Sequence, residues 1–188
     1  MHSRAYSVPV GVRGCTILAE KLAFGFPASE QVTIPLAATT LPILMTAIPG
    51  KGTDTMSFGC LIREVKNVLG RPDSVKTYSD EIWLSFFDAG IDCCFGKTQK
   101  TLTALNFFRD GVSGHTQAQV ITQDGLSPGV PKIVVLQRLG DPSQSDAAWV
   151  DRDGKWHWSW IKYPSGIAFE FGHDGKADVM TLYSNESS

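Results

Sequence analysis

The sequence predicts an α+β protein made of two tandem repeats, each with a short helix packed on a three- to four-stranded antiparallel meander. Three observations lead to this fold class. The chain has 188 residues, of which 43% are hydrophobic and 19% charged, and this composition is typical of a folded protein. The sequence is similar to itself when the segment beginning at Ser57 is aligned with the segment beginning at Ser127. Each copy then changes from helical to alternating hydrophobic periodicity.

The internal similarity divides the chain into three parts. The ungapped alignment of these two segments gives the identities Ser57/Ser127, Gly59/Gly129, Val65/Val135, Leu69/Leu139, Gly70/Gly140 and Pro72/Pro142. After a small insertion, a second alignment places Gly90 on Gly166 and Phe95 on Phe171. We interpret the chain as a tandem duplication. Residues 1–54 are predicted to be an extended or poorly ordered N-terminal segment, 55–118 the first repeat and 119–188 the second.

Each repeat is predicted to begin with a helix of about three turns. Ser57 and Ser127 are suitable N-caps, because a serine hydroxyl accepts from an unpaired first-turn N–H. Gly70 and Gly140 can end the helices in a left-handed conformation. Apolar residues at helical spacing supply the buried stripe: Leu61, Val65, Val68 and Leu69 in the first copy, and Ile133, Leu136 and Leu139 in the second.

Alternating segments separated by turn residues predict four strands after each helix. The predicted strands of the first copy are Val75–Tyr78, Glu81–Phe87, Ile91–Phe95 and Thr101–Phe108. Those of the second copy are Ala147–Val150, Lys155–Tyr163, Ile167–Phe171 and Ala177–Tyr183. One copy buries little apolar surface by itself, which explains why two copies are joined.

These patterns resemble two known families. The first is carried by a motif that is present twice and is followed each time by strands: Ser-x-Gly-x5-Val-x3-Leu-Gly-x-Pro. It resembles the helix-plus-meander repeat of the β-lactamase inhibitor protein family and the single unit of the outer-membrane assembly lipoproteins. The residues Leu69-Gly70-x-Pro72, Phe86-Phe87-x2-Gly90-Ile91-Asp92, Leu105-x-Phe107 and Gly114-His115 resemble a stretch of the eukaryotic phagosome assembly factor family. Both resemblances imply a non-catalytic interaction protein, and neither supplies catalytic residues.

A candidate partner surface follows from the predicted register. Trp156, Trp158 and Trp160 alternate along one predicted strand, so their rings share a face. The alignment of Gly90 with Gly166 also places Trp160 on Leu84, which predicts that this face is buried under the helix. The opposite face would carry the predicted partner-binding residues Trp83, Phe87, His157, Ile161 and Tyr163. In the alternative interpretation, the N-terminal segment covers that face.

The sequence predicts no metal site and no cofactor. The four histidines, His2, His115, His157 and His173, lack the i, i+4 spacing of a zinc site. The four cysteines, Cys15, Cys60, Cys93 and Cys94, lack the paired C-x-x-C spacing of a zinc site. We interpret them as free thiols, with Cys93 in the core and Cys94 facing outward. No Gly-x-Ser-x-Gly nucleophile motif and no complete phosphate-binding loop is present.

The charge and hydropathy of the sequence argue against two classes of partner, nucleic acid and membranes. A net charge of −2 argues against nucleic acid, which selects basic proteins. Prolines interrupt the uncharged stretch 31–50, which argues against a membrane-spanning helix, and the sequence shows no clean export signal. We therefore predict a cytoplasmic protein-interaction module, an inhibitor or an assembly factor, whose partner is another protein. The alternatives are a small hydrolase-like enzyme in the groove between the repeats, using His115 or His157 with a nearby Asp, and self-association through the aromatic face.

Overall fold

The computed structural model describes residues 44–150, 152, 154 and 156–185, with the side chain of Trp156 excepted. The elements of the first half are β1 Met45–Ile48, β2 Gly52–Thr53, α1 Ile62–Leu69, β3 Ser74–Thr77, β4 Glu81–Phe86, β5 Ile91–Gly96 and β6 Leu102–Phe108. A 3-10 turn at Val112–Gly114 follows. The elements of the second half are β7 Val120–Thr122, α2 Lys132–Leu139, β8 Gln144–Asp146, β9 Trp149–Val150, β10 Trp156–His157, β11 Ser159–Tyr163, β12 Ile167–Phe171 and β13 Ala177–Tyr183.

Eight strands form one antiparallel sheet in the order β3-β4-β5-β6-β13-β12-β11-β8. In each half a helix is followed by strands that run from the edge of the sheet to its centre. The central pair is β6 and β13, with Leu105 opposite Leu182 and Phe107 opposite Met180. The predicted α+β class with antiparallel strands therefore fits the structure, and the meanders of the two halves form one continuous sheet.

The core lies between one face of this sheet and the two helices. Two rows of cross-strand neighbours, each residue at most 4% exposed, point to this side: Leu84, Cys93, Leu105, Leu182, Ile167, Tyr163 and Phe86, Ile91, Phe107, Met180, Phe169, Ile161. Val65 of α1 and Val135 of α2 belong to the same buried cluster. Burial of large side chains at about 25 cal/mol per Å² makes this layer the main source of stability.

A small three-stranded sheet, in the order β2-β1-β7, also belongs to the core cluster through Met45, Ala47 and Val120. Strand β1 pairs in parallel with β7 and antiparallel with β2. The last part of the predicted N-terminal segment is thus extended and paired, whereas residues 1–43 lie outside the described residues. Neither helix in the described part of the chain is long and apolar enough to cross a membrane.

The predicted helix starts at Ser57 and Ser127 are wrong, because both helices begin about one turn later and span eight residues. The backbone before each helix is bound to the sheet instead: the N–H of Gly59 donates to the carbonyl of Leu102 at 2.9 Å, and that of Gly129 to Ala177 at 2.7 Å. Gly59 and Gly129 also have φ angles of 85° and 91°, outside the range of a right-handed helix, so neither helix can begin directly after its serine. The predicted helix ends are confirmed, since Gly70 and Gly140 are the C-caps with positive φ, but their ψ angles of −149° and −157° differ from the predicted left-handed conformation.

Most predicted strands lie where the alternation placed them, and β12 and β13 match to the residue. The region before β11 differs from the prediction. The predicted strand 155–163 is divided at Trp158 into β10 and β11, and β10 pairs with β9 in a separate hairpin. The edge strand of the second half is β8, which precedes the predicted strand 147–150.

The predicted register of β11 is wrong by one residue. The turn between β4 and β5 has four residues, 87–90, whereas the turn between β11 and β12 has three, 164–166. A one-residue difference moves every side chain of a strand to the other face. Ile161 and Tyr163, predicted on the partner surface, are therefore buried toward the helices at 1% and 4% exposure. Trp158, predicted in the core, is 44% exposed.

Tyr163 instead joins the end of α2 to the sheet. Its hydroxyl donates to the carbonyl of Gly140 at 3.0 Å, and its own carbonyl accepts from the hydroxyl of Tyr183.

We expect Tyr163→Phe to lower the free energy of unfolding by about 1 kcal/mol, because the Gly140 carbonyl loses its hydroxyl donor. Urea denaturation measures this difference, and Tyr78→Phe, at an exposed tyrosine, is the matched control. An equal effect of the two substitutions would show that the bond to Gly140 contributes nothing.

Candidate functional site

The surface of the eight-stranded sheet that points away from the helices is called the open face below. Its central row takes one residue from each strand: Ser74, Ser85, Asp92, Asn106, Thr181, Ala168, Lys162 and Gln144. All are polar except Ala168, and all except Ser85 are half-buried or exposed. The two faces therefore differ in chemistry, because one forms the core and the other presents hydrogen-bonding groups.

Two tryptophans lie on the open face at related positions. Trp83 is on β4 and Trp160 on β11, and each is half-buried. The indole Nε1–H of Trp83 donates to Oε2 of Glu81 at 2.8 Å, which fixes both side chains. Since aromatic rings bury a large apolar area, an accessible tryptophan is a suitable anchor for a partner.

An open groove of about 380 Å³ crosses β3, β4 and β5 on this face. Its lining residues are Lys76, Tyr78, Glu81, Trp83, Ser85 and Asp92. Two carboxylates, one ammonium group, hydroxyls and two aromatic rings thus surround a space large enough for one or two side chains of a partner. Lys76 forms no ion pair with any carboxylate in the described part of the chain.

Asp92 connects the groove to a buried histidine. Nε2 of His115 lies 3.0 Å from Oδ1 of Asp92, and Nδ1 lies 3.3 Å from the carbonyl oxygen of Val112. The His115 ring stacks on Phe108 at 3.8 Å and meets Phe87 edge-on at 4.9 Å. The side chain of His115 is 2% exposed and that of Asp92 16%, so the histidine holds one carboxylate oxygen from behind the groove.

The loop that carries His115 is fixed by its backbone. The N–H of Thr116 donates to the carbonyl of Phe87 at 2.9 Å, and that of Ala118 to Phe108 at 3.0 Å. Gly90 allows this close approach, because a Cβ there would lie 2.4 Å from the carbonyl oxygen of Thr116. This loop covers one end of the open face and leaves the groove beside it accessible.

The three described cysteines, Cys60, Cys93 and Cys94, are free thiols as predicted. Cys93 lies in the core, and burial raises its pKa well above the ordinary value. Cys94 points to the open face beside Trp83 but is only 3% exposed, and burial raises its pKa to about 11. These thiols are protonated near neutral pH and are poor nucleophiles.

The structure separates the five predicted partner residues. Trp83 lies on the open face, and Phe87 lies at its end against His115. His157 stacks on Trp149 at 3.9 Å in the β9–β10 hairpin, outside the large sheet. Ile161 and Tyr163 lie in the core.

Sequence reasoning missed Trp160 and the pairing of Asp92 with His115. The signal for Trp160 was an alignment of the two halves displaced by one further position, which places it on Trp83. No pattern in the sequence indicated the pair, whose residues are 23 positions apart.

The alternative of an enzyme required a histidine within hydrogen-bond distance of an aspartate, and His115 fulfils this condition. Both ring nitrogens face protein acceptors, and no hydroxyl or thiol of the described residues is hydrogen-bonded to the ring. The pair also lies within the first half, not between the halves. Among the described residues, the pair therefore lacks the nucleophile–base contact of a catalytic triad. No group of three or more metal-ligating side chains occurs within the described ranges.

No protein-family model and no curated protein matches this chain. Among solved structures, it is similar to a DUF4309 family protein from Bacillus subtilis, with 17% identity and a TM-score of 0.48 over 72% of this chain and 88% of that one. It is also similar to a cysteine-rich secretory protein from Staphylococcus aureus, with 11% identity and a TM-score of 0.45. That match covers 77% of this chain and 50% of the staphylococcal one.

Proposed function

We propose that this protein is a non-catalytic interaction module that binds a partner protein on the open face of its sheet, as an inhibitor or an assembly factor does. The observation that carries the proposal is the accessible open face, with Trp83 and Trp160 among polar side chains. Tryptophan anchors surrounded by polar groups are typical of protein interfaces.

The site offers binding groups that are already in position. Glu81 is held by the indole of Trp83, and Asp92 by His115. Fixed side chains lose little conformational entropy when a partner binds, so the free energy of their contacts contributes more fully to affinity. This supports recognition as the role of the Asp92–His115 pair.

The two halves are also proposed to derive from one duplicated unit. The mirrored order of strands and the alignment of Trp83 with Trp160 support this origin. The groups beside the tryptophans differ, because Ala168 is the counterpart of Asp92 in the central row. Duplication followed by divergence would leave the groove of the first half as the specific part of a wider surface.

Photo-crosslinking tests the proposed function. A photoreactive amino acid is placed on the open face at Lys76 or Glu170, and on the helix side at Arg63 or Arg138, all of which are exposed. We expect the same partner protein to be crosslinked from both open-face positions and from neither helix-side position. Crosslinking of a partner only from the helix side would contradict the proposal, as would crosslinking only to second copies of this chain, which indicates self-association.

A further inference from the structure

The edge of the sheet beside the groove has unpaired backbone groups. The N–H of Tyr78 donates to the carbonyl of Glu81, so the alternate residues of β3, Val75 and Thr77, direct their N–H and C=O groups away from β4. Within the described part of the chain these groups have no hydrogen-bond partner. An edge of this kind can pair with another strand.

Side chains along this edge do little to prevent such pairing. Val75 is 57% exposed and Tyr78 54%, and Lys76 is the only charged residue of β3. The opposite edge strand, β8, consists of Gln144, Ser145 and Asp146, which are exposed and polar. Exposed apolar residues beside free backbone groups make β3 the more favourable edge for strand addition.

The charged residues of the groove indicate which type of side chain an added strand would place there. Glu81 and Asp92 line it, and Asp80 lies in the adjoining β3–β4 turn. The cation of the lining is Lys76, which is exposed, while Nζ of Lys97 is bound to the carbonyl of Tyr78 at 3.2 Å. The three carboxylates thus outnumber the two ammonium groups near the ring of Trp83, and carboxylates beside an aromatic ring favour an ammonium or guanidinium group.

We propose, on the basis of the proposed function, that an extended segment of the partner adds to β3 as a further strand and directs a Lys or Arg side chain over the ring of Tyr78 toward Glu81, at the near edge of the groove. Residues of a strand alternate between faces, so the neighbours of the basic residue point to the other side of the sheet. There they meet the exposed side chain of Val75. The recognised segment therefore alternates basic and apolar residues.

Three labelled peptides of about seven residues test this inference, a length typical of a strand. In each, valine alternates with lysine, with glutamine or with glutamate, and fluorescence anisotropy at physiological ionic strength measures the dissociation constants. We expect the lysine peptide to bind about tenfold more tightly than the glutamine peptide, and the glutamate peptide to bind most weakly.

Four variants test whether the groove carboxylates and the outer edge of β3 cause the tighter binding of the lysine peptide. Glu81→Gln keeps an acceptor for Trp83 and is expected to weaken the lysine peptide about tenfold. Asp92→Asn keeps an acceptor for His115 and should have a smaller effect, because Asp92 lies three strands from the added strand and its charge is screened. Asp146→Asn, on the far edge, is the matched control and should change nothing. Thr77→Pro removes an outward N–H without loss of a sheet bond, and it should abolish binding.

Tighter binding of the glutamate peptide, or lysine-peptide binding that is unaffected by Glu81→Gln and Thr77→Pro, would overturn the inference. If this occurs while a partner is still crosslinked from Lys76 and Glu170, the proposed function stands and only the strand-addition mode is wrong. If the partner is crosslinked from the helix side, the proposed function itself fails.

Discussion

Replacing Arg109 with methionine is expected to lower the free energy of unfolding by about 3–5 kcal/mol, because a buried carboxylate then loses its charge partner. Nη2 of Arg109 lies 2.5 Å from Oδ1 of Asp178 as an ion pair, without the angle of a hydrogen bond. The Asp178 side chain is 5% exposed. Arg109 follows β6 and Asp178 lies on β13, so the pair joins the two halves at the centre of the sheet. Urea denaturation at pH 7 measures the loss.

Two further variants separate the buried charge from the surface contact. Arg109 also contacts Asp174 at 2.6 Å, but that carboxylate is 48% exposed, so Asp174→Asn should destabilise the protein far less than Arg109→Met. Asp178→Asn in the Arg109→Met background removes the unpaired charge and should restore part of the lost stability. A loss of under about 1 kcal/mol in Arg109→Met would show that the ion pair does not hold the halves together.

The loss of stability caused by Arg109→Met should depend on pH, and the pKa of Asp178 determines the direction. Burial raises the pKa of Asp178 above its ordinary value, whereas the charge of Arg109 lowers it. Without the arginine, the pKa of the folded state rises further above that of the unfolded state. The folded protein then binds the proton more tightly, so its stability increases as the pH falls and is lost as the pH rises through the folded pKa. We expect the destabilisation by Arg109→Met to be smaller at pH 5 than at pH 7.

Gly90→Ala is expected to lower the free energy of unfolding by about 3 kcal/mol, as the sum of two effects. The residue has a φ of +70°, which costs a residue with a Cβ about 1–2 kcal/mol. The new Cβ would also lie 2.4 Å from the carbonyl oxygen of Thr116 and 2.6 Å from the amide nitrogen of Ala118. Because both atoms belong to the backbone, the loop that carries His115 must move.

Gly175→Ala is the matched control, since Gly175 has the same φ of +70° but no atom within 4 Å of the added Cβ. Its expected cost is the conformational part alone, about 1–2 kcal/mol. Equal losses in the two variants would mean that the His115 loop adapts without cost.

Most strands were predicted correctly because the pattern that defines a strand lies within the strand itself. Alternation between buried and exposed positions defines a strand without reference to its neighbours, and turn residues mark its ends. The ends of the helices were predictable for the same reason, since Gly70 and Gly140 need only their own positive φ.

Features that depend on distant pairing could not be read from local patterns. The helix starts were misplaced because the backbone before each helix pairs with the sheet: Gly59 and Gly129 have positive φ angles and donate to the distant residues Leu102 and Ala177. The face of β11 was inverted because a turn is one residue shorter in the second half. Pairing of Asp92 with His115 depends on how the loop after β6 folds back over the sheet, which no spacing in the sequence specifies.

The affinity of the crosslinked partner protein for two variants tests the central claim most directly. Trp83→Ala removes an anchor of the open face, and Ile133→Ala removes a side chain of α2 that is 61% exposed. Calorimetric titration should give a dissociation constant at least about tenfold higher than wild type for Trp83→Ala and an unchanged constant for Ile133→Ala. An unchanged constant for Trp83→Ala, with weaker binding by Ile133→Ala, would place the partner on the helices and contradict the account.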